Sequence, residues 1–241
     1  MKTAIISDIH GNLEAFREVL DDIGQTGADA VVSLGDNVGY GPDPEAVVQL
    51  IRSRNIPSIM GNHELAIVLP ERRHWFNESA RMSLAVTEKL LTEETKQWID
   101  RLETTLVFRN CLFVHGCPPD SVTAYLFEMK DSRLKSILGR MDQRICFVGH
   151  THTLDIVSLT GGEVVRSEMQ KGKIGLAGGG RHIINVGSVG QPRDGDKSAK
   201  YVIWDDSEET IETRFIPYNA AKTAEKIIAL GFPKINATRL L

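Results

Sequence analysis

TAIISDIHGN, residues 3–12, is the stretch on which the reading of this chain turns. Five small or apolar residues, the pattern of a buried strand, run directly into Asp8, His10 and Asn12. A polar cluster at the end of a buried strand costs free energy unless a partner satisfies it. Three partners suit it: a helix that it caps, a surface turn, or a bound cation. The same grammar recurs. AVVSL (30–34) runs into GDNVGYGP, PSIM (57–60) into GNHE, CLFV (111–114) into HGCPP, and ICFV (145–148) into GHTH. RHIINVGSV (181–189) gives way to GQPRDGD. Short apolar runs closed by turn formers read as buried strands.

Helical periodicity fills the gaps between the early runs. Leu13, Phe16, Leu20 and Ile23 share one face, and a second helix is expected over residues 44–54, with Pro44 at its start. Strands alternating with helices imply parallel strands joined by crossover helices. Residues 78–102 read as two helices broken near Thr92, an N-cap candidate followed by Glu93 and Glu94, and residues 131–141 as another. After residue 153 the pattern turns antiparallel. TLDIVSLT and EVVRSEM flank Gly161-Gly162 as a hairpin, and KYVIWDD and TIETRFIPY form a second one closed by 207–209. A final helix is expected from Asn219 to Leu230, stopped by Gly231 and Pro233. The expected class is α/β, with two packed sheets and helices outside, in one domain over 1–241 on which the 219–231 helix packs.

Size and charge narrow the function. A chain of 241 residues can bury a core without disulfides or a structural metal. Its net charge of −4 leaves no basic field for bulk nucleic acid, and the short basic patch in 166–181 reads as a solvated hairpin loop. Cys111 and Cys146 lie in apolar runs as buried thiols, Cys117 follows a turn, and no CxxC occurs. With no signal peptide and no long apolar segment visible, a cytoplasmic protein that does not engage membranes is expected. The oligomeric state is not legible.

Five strand ends deliver ligand-type residues to the carboxyl edge, where α/β sheets gather their ligands. They bring Asp8 and His10, Asp36, Asn62 and His63, His115, and His150 with His152. Five of the seven histidines follow such runs directly, and only His74 and His182 do not. Singly, each motif has a bland explanation in turns and backbone hydrogen bonds; together they point to metal. Carboxylate, imidazole and amide oxygen without thiolate suit Mn, Fe, Zn or Ni. The ligand count fits two ions sharing a carboxylate, the device used for in-line attack on phosphorus.

The ordered set Asp8-Ile9-His10, Gly35-Asp36, Gly61-Asn62-His63-Glu64, His115-Gly116 and Gly149-His150-Thr151-His152 resembles the calcineurin-like metallophosphoesterase superfamily. NVGSVGQPRDGD (185–196) is similar to small bacterial members. The resemblance implies a four-layer αββα sandwich of two mixed sheets flanked by helices. It implies that Asp8, His10 and His152 hold one metal, that Asn62, His115 and His150 hold the other, and that Asp36 bridges them. A hydroxide between the ions would attack phosphorus, His63 would act as general acid, and Glu64 would orient the His63 ring. Two divalent ions are expected, with Mn favoured over Fe, Ni or Zn.

Local differences bear on substrate. Ser/Thr protein phosphatases carry GDxVDRG, whose Arg grips phosphate; here GDNVGYGPDP (35–44) has Gly39-Tyr40-Gly41 in that place. The stretch resembles instead the small prokaryotic phosphodiesterases and diadenosine-tetraphosphatase-like proteins. Some small relatives have Cys where this chain keeps His63, so esters with poorer leaving groups are within its expected reach. Asn37, Tyr40 and Arg193 are the substrate-binding candidates. Tyr40 serves either to stack on a base or to pack. Arg193 serves either as a phosphate grip or as a turn residue paired with Asp194 or Asp196. LAGGGRH (176–182) precedes a strand, so it is no P-loop, and it is expected as a loop near the site. The expected activity is hydrolysis of a small nucleotide phosphodiester or phosphoanhydride, dinucleoside polyphosphates first. A phosphomonoesterase or Ser/Thr phosphoprotein phosphatase is the alternative, and a metal-free scaffold of the same fold is the competing class.

Overall fold

The computed structural model describes residues 1–176 and 178–241. The chain opens with β1 (Lys2–Ile6), α1 (Leu13–Thr26), β2 (Ala30–Ser33), α2 (Pro44–Ser53) and α3 (Asn62–Val68). A 3₁₀ turn over Pro70–Trp75 leads to α4 (Glu78–Leu90) and α5 (Glu93–Asp100), then β3 (Thr105–Phe108) and β4 (Cys111–Val114). Next come α6 (Asp131–Arg140), β5 (Ile145–Val148), β6 (Leu154–Thr160), β7 (Glu163–Glu168), β8 (Gly172–Gly175) and β9 (Arg181–Val186). The chain ends with β10 (Ala199–Asp205), β11 (Thr210–Ile216), α7 (Ala220–Ala229) and α8 (Lys234–Thr238).

Among the described residues the strands form two mixed sheets, in the orders β2-β1-β10-β11-β8 and β3-β4-β5-β9-β6-β7. β1 and β2 are parallel across α1, with Ile5 opposite Val32, and β4 and β5 are parallel across α6. β6 and β7 turn at Gly161 and Gly162, whose φ values of 60° and 85° are those a two-residue hairpin turn needs. The β10–β11 hairpin closes at Asp205 opposite Thr210, where the second turn was expected.

Alternation along wholly apolar strands builds the layers. Ile5, Phe113, Phe147, Ile184, Val202 and Trp204 meet between the sheets. Their neighbours Ala4, Ile6, Tyr201 and Ile203 face α1 and α2 on one outside. Leu112, Val114, Cys146, Val148 and Ile183 face α6 on the other. A strand with an apolar residue at every position is stable here because both of its faces are covered, each large side chain contributing about 1.5–3 kcal/mol of burial. The result is the four-layer αββα arrangement.

Several local expectations change. PSIM forms no strand: Ser58 makes a single bridge to Ser33 beside β2. The GNHE residues open α3 instead of ending in a loop. β3, β8 and α8 are additional elements. The LAGGGRH stretch, of which Ala177 lies outside the described residues, is not near the ligand edge. It feeds the amino end of β9, where the Arg181 guanidinium reaches the Met141 and Gln143 carbonyls ahead of β5.

The C-terminal helices brace the edge that matters. Asn219 caps α7 by accepting from Lys222 N at 3.0 Å. Lys226 of α7 donates to Glu14 and Asp43, at 2.7 and 2.8 Å. Asn236 of α8 is fully buried and donates to the Tyr40 carbonyl at 3.1 Å and to Ser83 at 2.9 Å.

Candidate metal centre

DIHGN resolves into separate duties. Asn12 is the helix cap: its Oδ1 accepts from Ala15 N, and its Nδ2 donates to the Gly190 carbonyl at 2.9 Å. Asp8 and His10 instead turn into the seam between the sheets, where Asp36, Asn62, His115, His150 and His152 join them. All seven are buried, 8% exposed at most. Three overlapping groups have ligand atoms within 4.8 Å of one another: Asp8-His10-His152, Asp36-His115-His150 and His10-Asp36-His63.

The hydrogen bonds show what this cluster needs. His10 Nδ1 donates to the Val38 carbonyl at 3.0 Å, His115 Nδ1 to Leu34 at 2.9 Å, and His152 Nδ1 to Gln191 at 2.5 Å. His150 uses Nε2 toward the Thr123 carbonyl at 3.2 Å. A carbonyl only accepts, so each ring carries its proton on the outer nitrogen and turns the other nitrogen's lone pair inward, as metal-binding imidazoles do. His10 Nε2 and His152 Nε2 then face each other at 3.1 Å, and His115 Nε2 faces Asn62 Oδ1 at 3.1 Å and Asp36 Oδ2 at 3.3 Å. Acceptors aimed at acceptors repel unless a cation lies among them.

The carboxylates agree. Asp8 Oδ1 is buried without a hydrogen-bond donor, 3.3 Å from His152 and 3.7 Å from His10, while its Oδ2 accepts from His150 N at 3.0 Å. Asp36 Oδ2 stands between His10 at 3.8 Å and His115 at 3.3 Å, which puts it in reach of both triads. Burial alone would lower the proton affinity of His115, but the Asp36 carboxylate outweighs it and lifts the ring to about 9. Either a proton or a metal cation has to stand there. The residues fit divalent metal.

This is also what related proteins look like. The model of the calcineurin-like phosphoesterase superfamily domain matches residues 1–209. The chain belongs to that superfamily. An uncharacterized protein of Methanocaldococcus jannaschii is 35% identical over 242 residues, spanning 98% of this phosphoesterase and 96% of that protein. The crystal structure of a metallophosphoesterase from Sphaerobacter thermophilus matches with a TM-score of 0.85 and 34% identity, covering 100% of this chain and 98% of that one. A hypothetical protein from Pyrococcus horikoshii shares the fold, with a TM-score of 0.81 at 17% identity over 99% and 97% of the two chains. Family and donor set together make this phosphoesterase a divalent-metal-dependent hydrolase.

A cleft of about 280 Å³ opens over the cluster. His63 lines it with its ring edge-on to Phe76 at 5.0 Å, and its buried Nδ1 has no hydrogen-bond partner. Burial pushes the ring down to about 4, against the pull of Asp36. An anionic phosphoester seated beside it favours the protonated form, which a proton donor needs. Tyr40 packs against His10 and His63 at 4.7 and 4.6 Å, as the packing alternative expected, and also lines the cleft. Arg193 pairs with neither Asp194 nor Asp196. Asp194 pairs with Lys200 and Asp196 accepts from Ser198 N, while the Arg193 guanidinium takes Gln191 Oε1 and lies 5.8 Å above the Tyr40 ring.

Two expected roles are corrected. Glu64 does not orient the His63 imidazole. Its carboxylate accepts from the backbone N–H groups of Gly61, Asp36, Asn37 and Val38, at 2.7 to 3.3 Å, and so holds the Asp36 loop in place. Asn37 does not face the cleft: it is fully buried, accepts from Ser33 Oγ and donates to Ser58 Oγ, because the Glu64 grip turns that loop inward. Trp75, Phe76, Asn77, Thr123 and Tyr125 also line the cleft and were not foreseen. They come from irregular segments between elements, where no periodicity marks them. Gln191 sits in the quoted GQPRDGD motif, yet it acts through its carbonyl, which any residue carries.

Proposed function

We propose that this phosphoesterase hydrolyses small nucleotide phosphodiesters or phosphoanhydrides, dinucleoside polyphosphates foremost. The observation that supports it is two clusters of ligand atoms with Asp36 in reach of both, beneath one cleft that is walled by aromatic rings and carries Arg193. In this reading Asp8, His10 and His152 hold one divalent ion, Asn62, His115 and His150 hold a second, and Asp36 serves both. A carboxylate, amide and imidazole set without thiolate accommodates Mn, Fe, Ni or Zn, and manganese is the first of these to test. Bound there, two ions supply Lewis-acid activation of water and of the phosphoryl group.

The chain's own residues do the rest. Arg193 holds the phosphate charge that GDNVGYG, lacking an Arg, leaves uncovered. His63 sits in the cleft wall and gives its proton to the departing oxygen. Glu64 fixes the loop that presents Asp36. The expected cytoplasmic setting belongs to the same reading and is in keeping with three buried unpaired thiols. Among the described residues no helix is long and apolar enough to cross a membrane.

The test is one panel in Mn²⁺ buffer with a chelated control: diadenosine tetraphosphate, a bis-aryl phosphodiester and an aryl phosphomonoester, with products resolved. Chelator-sensitive cleavage of the dinucleotide that falls at least about 100-fold in His63→Ala is expected. Turnover of the monoester alone overturns the assignment in favour of a phosphatase. Failure of the protein to retain metal revives the scaffold.

A further inference from the structure

We propose that Trp75 is the platform on which the aromatic end of the leaving group stacks, so that the cleft selects substrates with a ring beyond the scissile phosphate on the His63 side. The inference rests on the nucleotide reading above and adds the residue that discriminates within it.

Trp75 ends the 3₁₀ turn over Pro70–Trp75 and lines the same cleft as His63. It is 47% exposed, and the Arg72 guanidinium lies 4.6 Å from its ring centroid. The guanidinium lies against the indole and the His74 ring meets it edge-on at 5.7 Å, and about half of the residue stays open to solvent. A large aromatic left half-exposed on the rim of a polar cleft is suited to stacking. The other aromatic rings of the cleft are already engaged. Tyr40 is 8% exposed, Phe76 is packed on His63, and Tyr125 lies face to face with His150 at 4.2 Å and 17°.

Position gives the platform its direction. Phe76, the next residue, touches the ring that serves as proton donor, so a group stacked on Trp75 is joined to the oxygen that His63 protonates. Asn77 lies beyond it on the rim. Its Oδ1 is committed to the N–H of Ala80, which leaves its amide N–H groups to meet an acceptor on the stacked ring.

The chain has three tryptophans, of which Trp204 is buried and Trp98 partly buried away from the cleft, so Trp75 is the one a ligand in the cleft meets. The experiment titrates AMP into Mn²⁺-loaded protein while following tryptophan fluorescence. It then compares kcat/KM for diadenosine tetraphosphate with that for adenosine 5′-tetraphosphate, which lacks the second ring. Wild type is expected to show saturable quenching and to prefer the dinucleotide. Trp75→Leu is expected to lose the quenching and at least about tenfold of that preference, whereas Trp75→Phe keeps most of the preference. Quenching that persists in Trp75→Leu, or an unchanged preference, overturns the proposal. If wild type cleaves aryl diesters but neither nucleotide, the nucleotide reading fails on its own; Trp75-dependent quenching by AMP still supports the platform, and its absence overturns it.

Discussion

Asp8, His10, Asp36, His150 and His152 all have φ between 49° and 70°, in the left-handed region that ordinary side chains avoid. Each such residue costs of order 1–3 kcal/mol, tolerated where surrounding contacts over-determine it. Asp and His are among the side chains that accept the conformation most readily. It kinks the backbone at the sheet edge, where an extended strand would carry the ligands past one another. Glycines close the space around them. A Cβ on Gly149 would lie 2.0 Å from Ser7 Oγ and 2.6 Å from Asp8 Oδ2, so Gly149→Ala must push a ligand aside. We expect 10–100-fold weaker metal binding by calorimetric titration. Gly139→Ala, in α6 with nothing within 4 Å of the added carbon, should leave metal binding unchanged.

At the scale of elements, α1 is bolted to the first sheet by one carboxylate. Asp22 accepts from Tyr201 of β10 at 2.5 Å and from Arg214 of β11 at 2.7 and 3.1 Å. Burial would raise its carboxyl, but the Arg214 and Tyr201 hydrogen bonds outweigh burial and lower it below the ordinary 3.8. A lowered folded-state value gives stability that is complete above the unfolded value and lost as pH falls through the folded one. Asp22→Asn should therefore cost about 1–3 kcal/mol in urea unfolding at pH 7, and the gap should narrow below pH 3.8. A gap that stays constant into acid would refute the linkage.

The same scale shows what could be read in advance. The βαβ unit, the hairpins and the helices of 78–102 were legible because periodicity and turn residues agree there. β8, sequence GKIG and exposed throughout, buries nothing and so carries no pattern. The start of α3 was masked because Asn62 and His63 occupy its first turn as cluster residues, and the Glu64 carboxylate reads as chemistry before it reads as a capping box. The cluster was legible because His10, His115, His150 and His152 follow apolar strands directly and converge with two carboxylates, a pattern that packing alone does not call for. Trp75 and Tyr125 were not, since a ring in an irregular segment looks like any other.

Across the whole molecule, two of the three groups, Asp8-His10-His152 and Asp36-His115-His150, draw on both sheets. Asp8 and His10 follow β1 and Asp36 follows β2 in one sheet, while His115, His150 and His152 follow β4 and β5 in the other. Metal bound there ties the two layers together, so its removal should register as lost stability. At free metal 100-fold above Kd the linkage is about 2.7 kcal/mol, or roughly 5–10 °C for a chain of this size. Chelation should lower Tm by that amount in wild type and by much less in Asp36→Asn. An equal shift in both would mean that the stabilising ion binds elsewhere.

The sheet order has a consequence for how the protein comes into being. β1 is an interior strand of its sheet, flanked on one side by β2 and on the other by β10. A ribosome emitting this chain releases Asp8 144 residues ahead of His152, and the strand that completes the pairing of β1 later still. No nascent fragment ending before residue 152 holds either the whole donor set or the strand arrangement that aims it. Cation capture is thus deferred until His152 and β10 have both emerged, and until then two acids and three imidazoles of the donor set wait as loose, competing chelators on an unfinished chain.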